Sequence, residues 1–142
     1  MLVRPPTAAT CDQAHGCQIL VVEDHVDTAK LLRKALRFYG HRVCLAYDGN
    51  TAIEILLREK PDVVVLDIGL PGIDGFEVAR RIRTTPHLRD LLIIALTALD
   101  SKEDRRRGDY VGVDFYLIKP VDLEMLEEII QTRLNVSEPV LH

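Results

Sequence analysis

The chain has 142 residues, 47% of them hydrophobic and 28% charged, with 18 basic against 22 acidic side chains for a net charge of -4. This length suits one domain that buries about two-thirds of the surface its unfolded chain exposes, and the acidic balance argues against direct binding of nucleic acid through its phosphates. No apolar run reaches the length of a membrane-crossing helix or a signal-peptide core, so a cytoplasmic protein with no membrane partner is expected.

Residues 1–16, MLVRPPTAATCDQAHG, read as a flexible N-terminal tail. Cys11, Cys17 and Cys44 are odd in number and lack CxxC spacing; reduced thiols are expected rather than a disulfide framework, and a zinc site is not expected.

From Gln18 the pattern alternates five times between a short β-rich apolar run and a longer segment with apolar residues three and four apart. The first run is QILVVE, Gln18 to Glu23; the helix after it, Val26 to Tyr39, sets Leu31, Leu32, Ala35, Leu36 and Tyr39 on one stripe and stops at Gly40. RVCLA, Arg42 to Ala46, is followed by a helix that opens near Asp48, turns Ala52, Ile55 and Leu56 inward and ends before Pro61. DVVVL, Asp62 to Leu66, leads to a helix after Asp74 with Phe76, Ala79 and Ile82 apolar. LLIIAL, Leu91 to Leu96, precedes the weakest helix, in SKEDRRRGDYVG. That helix is polar over most of its length, and an interior Gly108 costs about 1 kcal/mol relative to alanine, so local mobility is expected there. Its run Arg105 Arg106 Arg107, bracketed by Asp104 and Asp109, reads as a solvated face. VDFYLI, Val113 to Ile118, precedes a last helix from Asp122 with Leu123, Leu126, Ile130 and Leu134 inward. Asp48, Asp74 and Asp122 are expected N-caps, and residues 137–142 form a short C-terminal tail.

The first, third and fourth runs are almost continuously apolar, as when helices cover both faces of a parallel sheet. Residues 17–136 therefore read as a single doubly wound (βα)5 domain of the α/β class, flavodoxin-like, with a five-stranded parallel sheet in the order 2-1-3-4-5.

Ligands of such sheets bind outside the carboxyl ends of the strands, where strand order reverses. Glu23 and Asp24 stand at the end of strand one, Asp67 after strand three, Thr97 after strand four, and Lys119 and Pro120 after strand five. The expected order makes Asp24 and Asp67 neighbours. Crowded carboxylates repel unless a cation neutralises them, and a small oxygen-only set open to water suits Mg²⁺. Thr97 and Lys119 add a hydroxyl and a positive charge suited to phosphoryl oxygens. The combination points to phosphoryl transfer with Asp67 as nucleophile.

The motifs VVEDHVD, VVLDIGLPGIDGFE, ALTA and YLIKP resemble, in order, type and spacing, those of response-regulator receiver domains, the CheY-like family of two-component signalling. The resemblance covers about Gln18 to Leu134 and implies that Asp67 accepts a phosphoryl group from a sensor histidine kinase or histidine phosphotransfer protein. It implies that Glu23 and Asp24 hold Mg²⁺ directly or through water, with the Gly69 carbonyl as a further ligand, and that Thr97 and Lys119 contact the phosphoryl oxygens. Tyr116 matches the aromatic switch that turns inward as Thr97 moves toward the phosphate, and Pro120 the proline whose preceding bond is cis. The output would be a changed α4-β5-α5 surface acting on an unknown partner, with homodimerisation through that face left open. With no output domain following, the chain reads as a receiver only: a free-standing regulator, a phosphorelay shuttle, or the receiver of a hybrid kinase.

Two other readings compete. A haloacid-dehalogenase-like phosphatase also uses a strand-end aspartate and Mg²⁺, but carries a second aspartate two residues on, where this chain has Gly69. A pseudo-receiver would use the fold without phosphorylation. Catalysis is expected to be limited to self-catalysed transfer to, and hydrolysis from, Asp67. Gly69 and Leu99, two residues past Thr97, are the positions that the resemblance ties to water's access and the lifetime of the phosphorylated state. His15, His25, His41 and His87 lack metal-ligand spacing and are expected at the surface.

Overall fold

The structure, a computed structural model, describes residues 16–98 and 102–137. Cys11, His15, Leu99 and most of both expected tails lie outside the described residues. Five strands alternate with five helices: β1 (Gln18–Val22), α1 (Val26–Phe38), β2 (Arg42–Ala46), α2 (Gly49–Glu59), β3 (Val63–Asp67), α3 (Gly75–Thr84), β4 (Leu92–Thr97), α4 (Lys102–Val111), β5 (Phe115–Ile118) and α5 (Leu123–Ser137). A 3-10 turn at Pro86–Leu88 lies between α3 and β4.

The sheet is parallel throughout in the order β2-β1-β3-β4-β5. The three nearly uninterrupted apolar runs are its interior strands, as expected. Their side chains alternate between two cores because successive residues of a strand point to opposite faces. Leu20, Val22, Val64, Leu66, Ile93 and Ala95 pack with Ala52, Leu56, Phe76, Ala79 and Ile82 of α2 and α3. Ile19, Val21, Val63, Val65, Ile94 and Leu96 pack with Leu32 and Leu36 of α1 and Leu126, Ile130 and Leu134 of α5.

Side-chain caps start the helices. Asp48 accepts the Thr51 N–H at 2.7 Å, Asp74 the Glu77 N–H at 3.0 Å and Asp122 the Met125 N–H at 3.1 Å. The α1 stripe is narrower than its spacing suggests: Ala29, Leu32 and Leu36 are buried, while Leu31 and Tyr39 are exposed. A thirteen-residue helix laid on an edge and one interior strand covers only a thin seam.

His41 departs from its expected surface position. It is buried, its Nδ1 accepts the Cys17 N–H at 2.9 Å, and its Nε2 lies 2.7 Å from Glu127 Oε1 on α5. Because Nδ1 receives a backbone proton, Nε2 is the ring nitrogen that carries hydrogen toward the carboxylate. The reason is local, since the chain reverses at Gly40 in the left-handed region, with φ +96°, and enters β2 with the imidazole facing in. Cys17 is disulfide-bonded, against the expectation of reduced thiols; Cys44 is free and exposed.

α4 is the lightly anchored helix, with Gly108 as its buried residue. The arginine run is more than a solvated face: the Arg105 guanidinium lies 5.7 Å from the centre of the Tyr116 ring, and that of Arg107 lies 4.2 Å from the centre of the Phe76 ring and 3.6 Å from Asp74. Exposed cation–π contacts contribute about 0.5–1 kcal/mol each, so α4 is held by a few polar and stacking contacts rather than by a large apolar face.

Arg83 clasps the opposite end of the sheet, donating to the carbonyls of Gly112, Arg89 and Leu91 and to Asp114, all at 2.6–2.9 Å. Arg83→Met, which keeps the stem and removes the guanidinium, is expected to destabilise the fold by about 2–3 kcal/mol in urea titrations. On α3, Arg80 and Arg81 hold the Glu77 carboxyl down at about 2 from an ordinary 4.5. A depressed acid contributes stability that is complete above its unfolded value and lost as pH falls through its folded one. The stability gap between the native protein and Glu77→Gln should therefore be largest above about pH 4.5 and close toward pH 2, and high salt should shrink it.

Candidate functional site

The carboxyl edge of the sheet gathers the polar strand ends. Glu23 follows β1 and is buried, Asp24 beside it is exposed, and Asp67, buried, is the last residue of β3. One carboxylate oxygen from each lies within 4.8 Å of the others. The pairing of β1 with β3, in which Val22 sits opposite Leu66, brings the two strand ends together.

Lys119, directly after β5, reaches back across this edge, with its Nζ 2.8 Å from Glu23 Oε1 and 3.3 Å from Asp67 Oδ2. Burial works against the ammonium, but the bond to Glu23 and the charge of Asp67 outweigh it and leave the lysine above its ordinary pKa. Burial is also the main influence on Glu23 and raises its carboxyl; Lys119 and the His25 N–H pull the other way, and the charge of Asp67 adds to the rise. Three carboxylates thus share one ammonium, which reaches two of them, and the excess is negative.

Asp67 is oriented from two sides. The Gly69 N–H donates to Oδ1 at 2.9 Å, and Lys119 faces Oδ2. Gly69 is exposed, and a Cβ there would sit 3.7 Å from Oδ1, an ordinary contact, so the position can take a side chain over the carboxylate and presents none. Gly75 has the opposite character: a Cβ on it would approach the Asp67 carbonyl oxygen to 2.5 Å, so the bare backbone lets α3 start against the end of β3.

Thr97 ends β4, buried, and its carbonyl accepts the Lys119 N–H at 2.8 Å. The Lys119–Pro120 bond is cis. Tyr116 on β5 turns toward α4, packs against the core beside α3 and donates its hydroxyl to the Asp104 carbonyl at 2.9 Å. Glu23, Asp24, Asp67 and Lys119 therefore meet in one cluster, with Thr97 beside Lys119 on the adjoining strand, and Tyr116 faces away from it into the helix.

The donor set of the cluster is carboxylate oxygen, one group of it open to water. These features fit Mg²⁺ better than a thiolate- or imidazole-seeking metal. A groove of about 680 Å³ between α3 and α4, lined by Ile73, Phe76, Arg107 and Tyr110 among others, lies apart from this cluster and shares none of its residues. Sequence reading passed over two residues with work here. His25 caps α1 by accepting the Thr28 N–H at 3.3 Å, and an imidazole is an uncommon cap. Gly75 carried a legible signal, since it follows the capping Asp74.

The family described as response regulator receiver domain matches residues 19–131. Response regulator MprA of Mycobacterium leprae (strain TN) is 43% identical over 122 residues, which is 86% of this chain and 53% of that protein. The chain thus spans about half the length of the curated relatives it matches. Among solved structures, the chemotaxis protein CheY4 of Vibrio cholerae aligns with a TM-score of 0.78 at 28% identity, over 82% of this chain and 97% of its own. The receiver domain of the sensor histidine kinase PA1611 of Pseudomonas aeruginosa PAO1, with a magnesium ion coordinated in its active site cleft, aligns with a TM-score of 0.78 at 35% identity, over 84% and 98% of the two chains. No helix among the described residues is long and apolar enough to cross a membrane.

Excess negative charge at this edge has a measurable consequence. In metal-free buffer at neutral pH, Asp67→Asn is expected to stabilise the fold by about 1 kcal/mol, read by urea or thermal unfolding, because it removes one of the carboxylates crowded around one ammonium.

Proposed function

Because this chain belongs to the family of response regulator receiver domains, we propose that it receives a phosphoryl group on Asp67 in a Mg²⁺-dependent reaction and passes the signal on through its α4-β5-α5 surface. The observation that supports this most is the position of Asp67: last in a buried strand, within the acidic cluster, and aimed between the Gly69 N–H and the Lys119 ammonium.

A carboxylate oxygen of Asp67 attacks the phosphorus of a phosphohistidine on a sensor kinase or phosphotransfer protein, the P–N bond breaks, and the imidazole leaves with its electron pair. Such a transfer asks the protein for alignment and charge neutralisation more than for proton chemistry. Gly69 and Lys119 hold the carboxylate, and Lys119 and the Thr97 hydroxyl provide for the phosphoryl oxygens. Glu23, Asp24, Asp67 and the Gly69 carbonyl would hold Mg²⁺, which when bound offsets charge on the phosphoryl group. Water attack at phosphorus later releases Asp67. Gly69 offers no general acid where a phosphatase of the strand-end aspartate type needs one, so turnover of unrelated phosphomonoesters is not part of this reading.

Acetyl phosphate with Mg²⁺ should add the mass of one phosphoryl group to the intact protein, and Asp67→Asn should abolish the addition. Unlabelled native protein, or an equally labelled variant, overturns the proposal. Lys119→Ala should retain part of the labelling while losing most of the beryllofluoride-induced change in amide exchange over α4.

A further inference from the structure

Gly108 lies on the inner face of α4, directly over Tyr116. A Cβ at this position would sit 1.2 Å from Tyr116 Oη, 2.2 Å from Cζ and 2.8 Å from Cε2. Real Cβ atoms do not approach heavy atoms so closely, and the three atoms belong to one side chain that can leave by rotating about its Cα–Cβ bond. The backbone of Gly108 is ordinary helix, with no positive φ to require glycine, unlike Gly112 at the end of the same helix with φ +95°. A glycine in a helix interior is unfavourable for the helix itself. Its presence is explained by what fills the space: the Tyr116 ring, whose hydroxyl bonds to the Asp104 carbonyl one turn earlier in α4. Burial, with the charges of Asp109 and Asp104, raises the pKa of this phenol, so it remains a donor at neutral pH.

We propose that Gly108 is a positioning residue of the switch: the notch left by its missing side chain admits the Tyr116 ring beneath α4, and a single methyl group there expels it. The part of this that concerns phosphorylation rests on the receiver reading above. If the inward ring is the arrangement that a phosphorylated Asp67 favours, the notch sets how readily the protein reaches that state, and by reciprocity how tightly it holds a phosphoryl mimic. Tyrosine and glycine act as lock and recess, and neither alone determines the position of α4.

The test is the urea unfolding equilibrium of Gly108→Ala in three backgrounds of the full chain: native, Tyr116→Phe and Tyr116→Ala. Relieved of the ring, alanine should favour folding by about fivefold through helix propensity alone. With the tyrosine present the gain should vanish or reverse, and Tyr116→Phe should not restore it, because Cζ and Cε2 still obstruct the methyl. Equal gains in all three backgrounds overturn the proposal. A second readout separates the switch from mere packing: Gly108→Ala should weaken apparent beryllofluoride affinity in Mg²⁺ buffer by about fivefold or more, and should have no such effect in the Tyr116→Ala background. Unchanged affinity with Asp67 still labelled by acetyl phosphate overturns the switch role and leaves the receiver reading standing, whereas loss of labelling in the native protein strikes the receiver reading itself.

Discussion

The structure is organised around an electrostatic imbalance at one edge of the sheet. Glu23, Asp24 and Asp67 converge there, and Lys119 is the ammonium that reaches two of them. Bringing like charges together in a partly buried place is unfavourable, and the fold tolerates it because β1 and β3 are clamped side by side by apolar cores on both faces. The hydrophobic interior thus holds together what electrostatics would separate. On the receiver reading proposed above, a cation or a phosphoryl group arriving at this edge would meet a site already assembled, and little binding energy would be spent on ordering it.

The edge and α4 differ in how they are held. The acids stand at the ends of β1 and β3, strands that are buried almost throughout, whereas α4 rests on a glycine, two arginines over aromatic rings and one tyrosine hydroxyl. Arg107 also touches Asp74, the cap of the helix that starts next to Asp67. A rigid chemical site beside a lightly docked helix is the arrangement a two-state response needs, since small changes of charge shift the weaker element first.

Strand order, the interior strands, the caps at Asp48, Asp74 and Asp122, and the gathering of Glu23, Asp24, Asp67 and Lys119 were legible because each follows from a local pattern: apolar runs, acids before helices, polar residues at strand ends. What was not legible depended on pairs distant in sequence. His41 looked like a surface residue because nothing nearby reveals Glu127 on the last helix or the Cys17 N–H as its partners. Arg105 and Arg107 read as solvated because stacking on Tyr116 and Phe76 appears only when the rings are in place. Gly108 registered as a weakness in a helix, and its complement Tyr116 stands on another element.

The buried His41–Glu127 contact gains significance beside the loose α4. It ties α5 to the starts of β1 and β2, at the end of the sheet away from the acids, and Gln131 donates to the other Glu127 oxygen. Of the two helices flanking β5, one is therefore bolted to the frame and the other only leans on it. On the receiver reading proposed above, a change at Asp67 would shift α4 against the better-tied α5 rather than move the two together, so that the angle between them would carry the signal.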